Sequence, residues 1–181
     1  MSSYLISGPN GTGKSTVGRV LQSRGFRVIE TDTEPGVSAW FDNASGQKVN
    51  REDMPEYPVP AKWLAAHSWL WDRAKMNELF ASVGPEPTFF VGGAYNEHEF
   101  MEDFYKRFAL HTTNENIKTR LQSEERGEGN RWVDGSPSLL GALDWNSRFV
   151  HVSKANGAIL IDSTPAPDSI ADTILTYIQT P

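Results

Sequence analysis

Five short stretches of this chain are apolar or nearly so, and most of them are followed by residues with helical spacing. Tyr4-Leu5-Ile6-Ser7, residues 26–31, Thr88-Phe89-Phe90-Val91, Arg107-Phe108-Ala109-Leu110-His111 and Ala158-Ile159-Leu160-Ile161-Asp162 have the length and composition of strands. The continuous apolar run of 88–91 predicts a strand covered on both faces. Between the strands, apolar residues recur every three or four positions. Val17, Val20 and Leu21 predict a helix over 16–24, stopped at Gly25. Residues 61–83, bracketed by Pro60 and Gly84-Pro85, put Trp63, Leu64, His67, Leu70, Trp71, Ala74, Leu79, Phe80 and Val83 on one helical side, with a break expected near 68–72. Further helices are predicted over 97–106, from Asn114 through Leu121, over 136–156 and over 167–178, where Ile170, Ile174 and Ile178 fall four apart.

Strands alternating with helices predict an α/β fold, a three-layer α/β/α domain around a five-stranded parallel sheet. Ligands then bind at the carboxyl ends of the strands. The stretch 33–60 has no period. Together with 61–83 it reads as an insertion in a single domain spanning 1–181, and so long a connection is usually functional.

Composition narrows the partners. A length of 181 residues with 38% hydrophobic content is enough for one buried core. The net charge is −6 and no basic block occurs, which argues against a nucleic-acid partner and for a small molecule. With no cysteine, disulfides and thiolate metal sites are excluded. No apolar run reaches membrane-spanning length and no basic, apolar leader precedes the first strand, so the expectation is a cytoplasmic monomer or homodimer without a membrane partner.

The strongest chemical signal is residues 8–15, Gly-Pro-Asn-Gly-Thr-Gly-Lys-Ser, which match the phosphate-binding loop G-x-x-x-x-G-K-[ST] at every fixed position. The strand before it and the helix after it supply the context the motif needs. Gly8, Gly11 and Gly13 let backbone N–H groups turn toward phosphate oxygens, with Asn10, Thr12 and Thr16 completing the loop. The helix start adds its positive dipole end. Lys14, expected to face solvent, should reach the β- and γ-phosphates, and the Ser15 hydroxyl should ligate Mg²⁺. No Asn-Lys-x-Asp guanine-reading sequence and no Leu-Ser-Gly-Gly signature occur, so ATP is favoured over GTP and a transporter-type ATPase is set aside.

Asp32 closes the second strand facing Lys14. It can hold a magnesium-bound water or accept the proton of an acceptor hydroxyl, and its bland alternative is a turn aspartate. Gly92-Gly93 either lets a ligand approach backbone N–H groups or makes a tight turn. Trp40, Trp63, Trp69 and Trp71 crowd one region, where ring faces either sandwich a base or sugar or pack the core. Arg126 sits on a charged, glycine-flanked segment, 122–136, that reads as a mobile lid, with Arg131 and Arg148 as further lid candidates. Arg120 precedes the lid and would lie over adenine or against phosphate. His67 and His98 lack metal-ligand spacing.

The order of these elements resembles the nucleoside-monophosphate kinase superfamily of P-loop kinases, taken broadly to include shikimate and gluconate kinases. Residues 8–16 carry the resemblance, with Thr31-Asp32-Thr33, similar to the acidic strand end of shikimate-type kinases. Phe90-Val91-Gly92-Gly93 and Arg120-Leu121 followed by Arg126 are similar to the glycine-rich third strand and the arginines flanking the lid. Ile161-Asp162-Ser163-Thr164-Pro165 is similar to the adenine-holding loop. The resemblance implies a P-loop NTPase fold, MgATP as phosphoryl donor and catalysis by Lys14, Asp32 and Arg126. It also implies Ser15 and Asp32 at the metal, Ser163 and Thr164 near adenine, and an acceptor site in 33–83. Candidate acceptor contacts are Asp32, Trp40, Arg51, Trp71, Gly92, Gly93 and Asn96. A nucleotide kinase places an arginine after the third strand, but here that stretch is Gly92-Gly93-Ala94-Tyr95-Asn96, leaving Arg51 and Arg73 as substitutes. The acceptor expected is therefore a hydroxyl-bearing small molecule such as a nucleoside, a sugar-like or a shikimate-like compound. A nucleoside-monophosphate kinase and an ATP-binding regulatory module or slow ATPase remain the alternatives.

Overall fold

Alternation along two central strands decides how the layers form. In the computed structural model, which describes residues 2–126 and 132–179, β1 (Ser3–Ser7) sends Tyr4 and Ile6 to one face of the sheet and Leu5 to the other. β5 (Thr88–Val91) divides in the same way, with Phe89 and Val91 opposite Phe90. Every one of these side chains is buried, which is why the strands read as unbroken apolar runs.

The sheet contains five parallel strands in the order β2-β5-β1-β6-β7, where β2 is Arg27–Glu30, β6 is Lys106–His111 and β7 is Ile159–Asp162. One face is covered by α1 (Lys14–Ser23) and α6 (Pro167–Gln179), through Val17, Leu21, Ile170, Ala171 and Ile174. On the other face α3 (Arg73–Ala81) contributes Met76, and the 3₁₀ segment Glu97–Asp103 contributes Phe100. A third cluster joins α4 (Asn114–Gln122) to α5 (Pro137–Ala155) through Ile117, Leu121, Leu139 and Ala142, with Trp132 against it. The expected fold class, α/β with a five-stranded parallel sheet, is the one observed.

Two expectations are corrected. Residues 61–83 do not form one helix broken near 68–72. They form α2 (Ala61–Ala66), the strand β4 (His67–Trp71) and α3. β4 pairs antiparallel with β3 (Ser38–Asp42), which lies in the stretch that showed no period, and the two make a separate ribbon. The physical reason is the run His-Ser-Trp-Leu-Trp, whose aromatics alternate with a period of two and fit a pleated face better than a helical one. The segment 97–106 is not an α-helix either. It is 3₁₀ through Asp103 and then enters β6 at Lys106.

Candidate active site

The loop after β1 opens at the centre of the sheet and closes at Gly13, whose φ of 92° a side chain would strain. Gly13 caps α1 without any side-chain hydrogen bond. By contrast α3, α4 and α5 are capped by Asp72, Thr113 and Ser136. The first-turn N–H groups of α1 thus lack a side-chain acceptor, the arrangement that suits an incoming anion. Thr12 is buried and braces the loop, its N–H and hydroxyl both donating to the Pro9 carbonyl at 3.3 and 2.8 Å.

Lys14 does not face solvent as expected; it is 9% exposed. Its ammonium donates to the carbonyls of Gly8 at 2.6 Å and Pro9 at 3.2 Å. Burial lowers its pKa, and the carboxylates of Asp32, Glu97 and Glu30 act in the opposite direction. Ser15 lies half-buried in the first turn of α1. Asn10 is exposed at the loop tip, and the Thr16 hydroxyl accepts from Arg19.

Two carboxylates flank the Gly92-Gly93 step. A Cβ at Gly92 would overlap the Thr31 hydroxyl and come within 3.2 Å of Asp32 Oδ1, so only glycine lets the end of β2 close on β5 here. On the other side, Glu97 Oε2 lies 3.7 Å from where a Cβ of Gly93 would stand. Burial raises the pKa of the Glu97 carboxyl to about 7, against the opposing pull of the Ser7 hydroxyl, Arg107 and Lys14. Glu97 was missed in the sequence. It stands six positions beyond Val91 and returns to the site through a 3₁₀ turn, which no periodicity reveals.

Arg120 binds the nucleotide-side loops together. Its guanidinium donates to the carbonyls of Gly11 and Thr12, both at 3.3 Å, and to the Ser163 carbonyl at 2.7 Å. Ser163 and Thr164 follow β7. Asp162 accepts from the N–H and hydroxyl of Thr164, bonds that hold its carboxyl below the usual range. Arg126 is exposed on a 3₁₀ turn, Glu124–Arg126. Arg131 and the middle of the 122–136 segment lie outside the described residues. Arg148 pairs with Asp144 and lies over Trp145.

The expected acceptor contacts divide. Asp32 is exposed and accepts from Trp69 Nε1 at 3.2 Å. Trp40 stands directly across the ribbon from Trp69. Trp71, by contrast, is 2% exposed and packs on Phe100, so it serves the core and not a ligand. Both ends of the Asn96 amide are engaged by β4: its oxygen accepts from Trp71 N and its nitrogen donates to Trp71 O. Asn96 therefore anchors the ribbon instead of presenting its amide to an acceptor. Arg73 is turned away as well, onto Glu99 at 2.9 Å and over the Phe100 ring. Arg51 is exposed on a 3₁₀ turn of the insertion.

The donor set fits magnesium. A hydroxyl at Ser15 and a carboxylate at Asp32 are hard oxygen ligands, and Mg²⁺ carried by phosphates and water needs only one or two from the protein. Among the described residues no group of three or more His, Cys, Asp or Glu could hold a metal ion by itself. Nor is any helix among them long and apolar enough to cross a membrane.

The chain has the fold of P-loop kinases over nearly its whole length. It is similar to a gluconokinase from Sinorhizobium meliloti 1021, with a TM-score of 0.53 and 18% identity, covering 99% of this chain and 98% of that one. It is similar to deoxyadenosine kinase from M. mycoides with bound dATP, with a TM-score of 0.59 and 12% identity, covering 99% and 100%. It is also similar to shikimate kinase from Acinetobacter baumannii in complex with shikimate, with a TM-score of 0.58 and 18% identity, covering 99% and 94%. No family model and no curated protein sequence matches the chain.

Proposed function

We propose that this protein is an ATP-dependent kinase that moves the γ-phosphoryl group of MgATP to the hydroxyl of a small acceptor. The observation that carries this reading is the arrangement around Lys14: an uncapped helix start and a glycine loop on one side, Asp32 on the other. In phosphoryl transfer the protein mainly positions the partners and neutralises charge. Loop N–H groups would hold the phosphate oxygens. Lys14, now on the Gly8 and Pro9 carbonyls, would exchange these for the β- and γ-phosphates. Ser15, and Asp32 through a water, would hold magnesium, which when bound would supply a Lewis acid for the phosphate charge. Arg120 would fix the nucleotide loops, with Arg126 closing over the phosphates. As the acceptor oxygen bonds to the γ-phosphorus, the bridge to the β-phosphate breaks and ADP leaves. The hydroxyl proton passes to Asp32.

The test is ADP release by the purified chain with MgATP and a panel of nucleosides, nucleoside monophosphates, sugars, gluconate and shikimate. At least one compound should stimulate ADP formation well above the rate with water alone. Tight MgATP binding with no stimulation by any compound would make the chain a nucleotide-binding module or slow ATPase instead. The position of Arg73 counts against the nucleoside-monophosphate reading, because its guanidinium is committed to Glu99.

A further inference from the structure

Resting on that kinase reading, we infer that the acceptor is an uncharged, flat-ring-bearing alcohol, of the nucleoside type, held on the tryptophan ladder of the β3–β4 ribbon, and that the site rejects carboxylates and phosphate monoesters. The ladder follows from register. Trp71, Trp69 and His67 alternate along β4 and so share one face, and Trp40 on β3 is directly opposite Trp69. The rings touch in series. Trp40 meets Trp69 at 5.6 Å and Trp63 at 5.0 Å between centroids, and Trp63 stacks on His67 at 4.0 Å. The inner end, Trp71, is sealed in the core, while Trp40, Trp63 and Trp69 keep part of their surface open. The main chain of Tyr95, a residue 70% exposed, borders the ladder, its N–H donating to the Trp69 carbonyl at 2.9 Å. Partly exposed aromatic rings leading to a reactive carboxylate form a surface on which a planar ring stacks with its hydroxyl toward that carboxylate.

Charge selects among planar or cyclic alcohols. The ring series Trp69–Trp40–Trp63–His67 has a carboxylate at each end: Asp32 on Trp69 Nε1 at 3.2 Å, and Asp42 beside His67 at 3.8 Å. Glu34 follows Asp32 two residues on, and Glu97 and Glu30 act on Lys14 from the same region. Lys14 itself belongs to the phosphate loop. The arginine next after β4, Arg73, points to Glu99 and Asp103. A second anion brought onto this face would meet these like charges, and Arg73, one of the two arginines able to replace the usual bidentate grip, is committed elsewhere. A neutral ring meets no such penalty. The acceptor class therefore departs from the acid bound in the similar shikimate kinase structure.

Calorimetry on the full chain tests this, with adenosine and thymidine, their 5′-monophosphates, shikimate and gluconate as probes, each with and without MgADP. A neutral nucleoside should bind at least tenfold tighter than any of the four anions. Trp40→Leu should weaken that binding tenfold or more, with MgATP affinity on the same sample reporting an intact phosphate cradle. Should that variant fold poorly, Asp32→Asn serves in its place: it should narrow the gap between nucleoside and monophosphate by removing the repelling charge. Tighter binding of a monophosphate or a carboxylate than of either nucleoside overturns the inference, and so does absence of nucleoside binding in a protein that binds MgATP. If MgATP itself fails to bind, the kinase reading falls separately, while the ranking of neutral against anionic probes still decides the acceptor class.

Discussion

At the scale of single residues, the site sets buried charge against exposed charge. Lys14 is withdrawn from water and held on the Gly8 and Pro9 carbonyls, with the charges of Asp32, Glu97 and Glu30 acting on it, so it contributes chiefly when phosphate arrives. Lys14→Met keeps most of the aliphatic volume and removes the ammonium. We expect kcat to fall by roughly 10²–10³-fold, the usual cost of losing one transition-state charge partner, measured as ADP release under saturating MgATP. Asp32→Asn should lower kcat far more than it weakens MgATP binding, because the role proposed for Asp32 is on the acceptor hydroxyl. Equal losses in both would make Asp32 a structural turn residue. Glu97 has a pH signature. Its carboxyl titrates near 7 in the fold against 4.5 ordinarily, so the folded state holds an extra proton between those values. The stability this supplies is complete below pH 4.5 and is lost as pH rises through 7. Urea unfolding at pH 5 and pH 8 should show the wild type losing on the order of 2–3 kcal/mol more than Glu97→Gln across that interval. Parallel pH profiles for the two proteins would refute the burial of this carboxyl.

At the scale of elements, the β3–β4 ribbon is not paired into the five-stranded sheet and is held by isolated main-chain and side-chain hydrogen bonds. Asn96 mimics a strand partner for Trp71, Tyr95 donates to Trp69, and the Asp72 N–H donates to the Val37 carbonyl at 2.7 Å. Asn96→Ala leaves the Trp71 main chain without these partners in a half-buried place. It should cost about 1–3 kcal/mol of stability and raise the acceptor KM while the ATP KM stays constant, which steady-state kinetics with both substrates varied would separate. This ribbon is also where sequence reading fell short. Residues 61–66 and 73–81 do have helical spacing, and the six residues between them, five of them β4, were absorbed into the same period. Strand pairing across a gap of more than twenty residues leaves no local mark, so β3 stayed hidden among the prolines, glycines and asparagines around it. Trp71 and Asn96 were placed at the acceptor for their chemical type, and packing directs both to other work.

At the scale of the whole molecule, what could be read in advance is what is local. The phosphate loop, the apolar strands and the helix start at Ser136-Pro137 depend on neighbours in sequence, whereas the cap expected at Asn114 falls one residue earlier, on Thr113. What could not be read is assembled by topology: Glu97 against Ser7, Asp32 against Gly92, and Arg120 linking residues 11, 12 and 163. That last linkage makes the two ligands separable. A nucleotide should stiffen one connected set, the loop at 8–16, the helix carrying Arg120 and the segment 162–164, because one guanidinium joins all three. The ribbon has its own anchors at Asn96 and Tyr95, so it should respond to acceptor instead. Amide hydrogen exchange reads both. MgATP should slow exchange in the first set by severalfold and leave 38–42 and 67–71 nearly unchanged, and acceptor added on top should protect the ribbon. Arg120→Ala should confine the MgATP effect to residues 8–16. Uniform protection of both regions by MgATP alone would mean that the ribbon and the phosphate cradle open as one unit, and the two-part organisation would have to be abandoned.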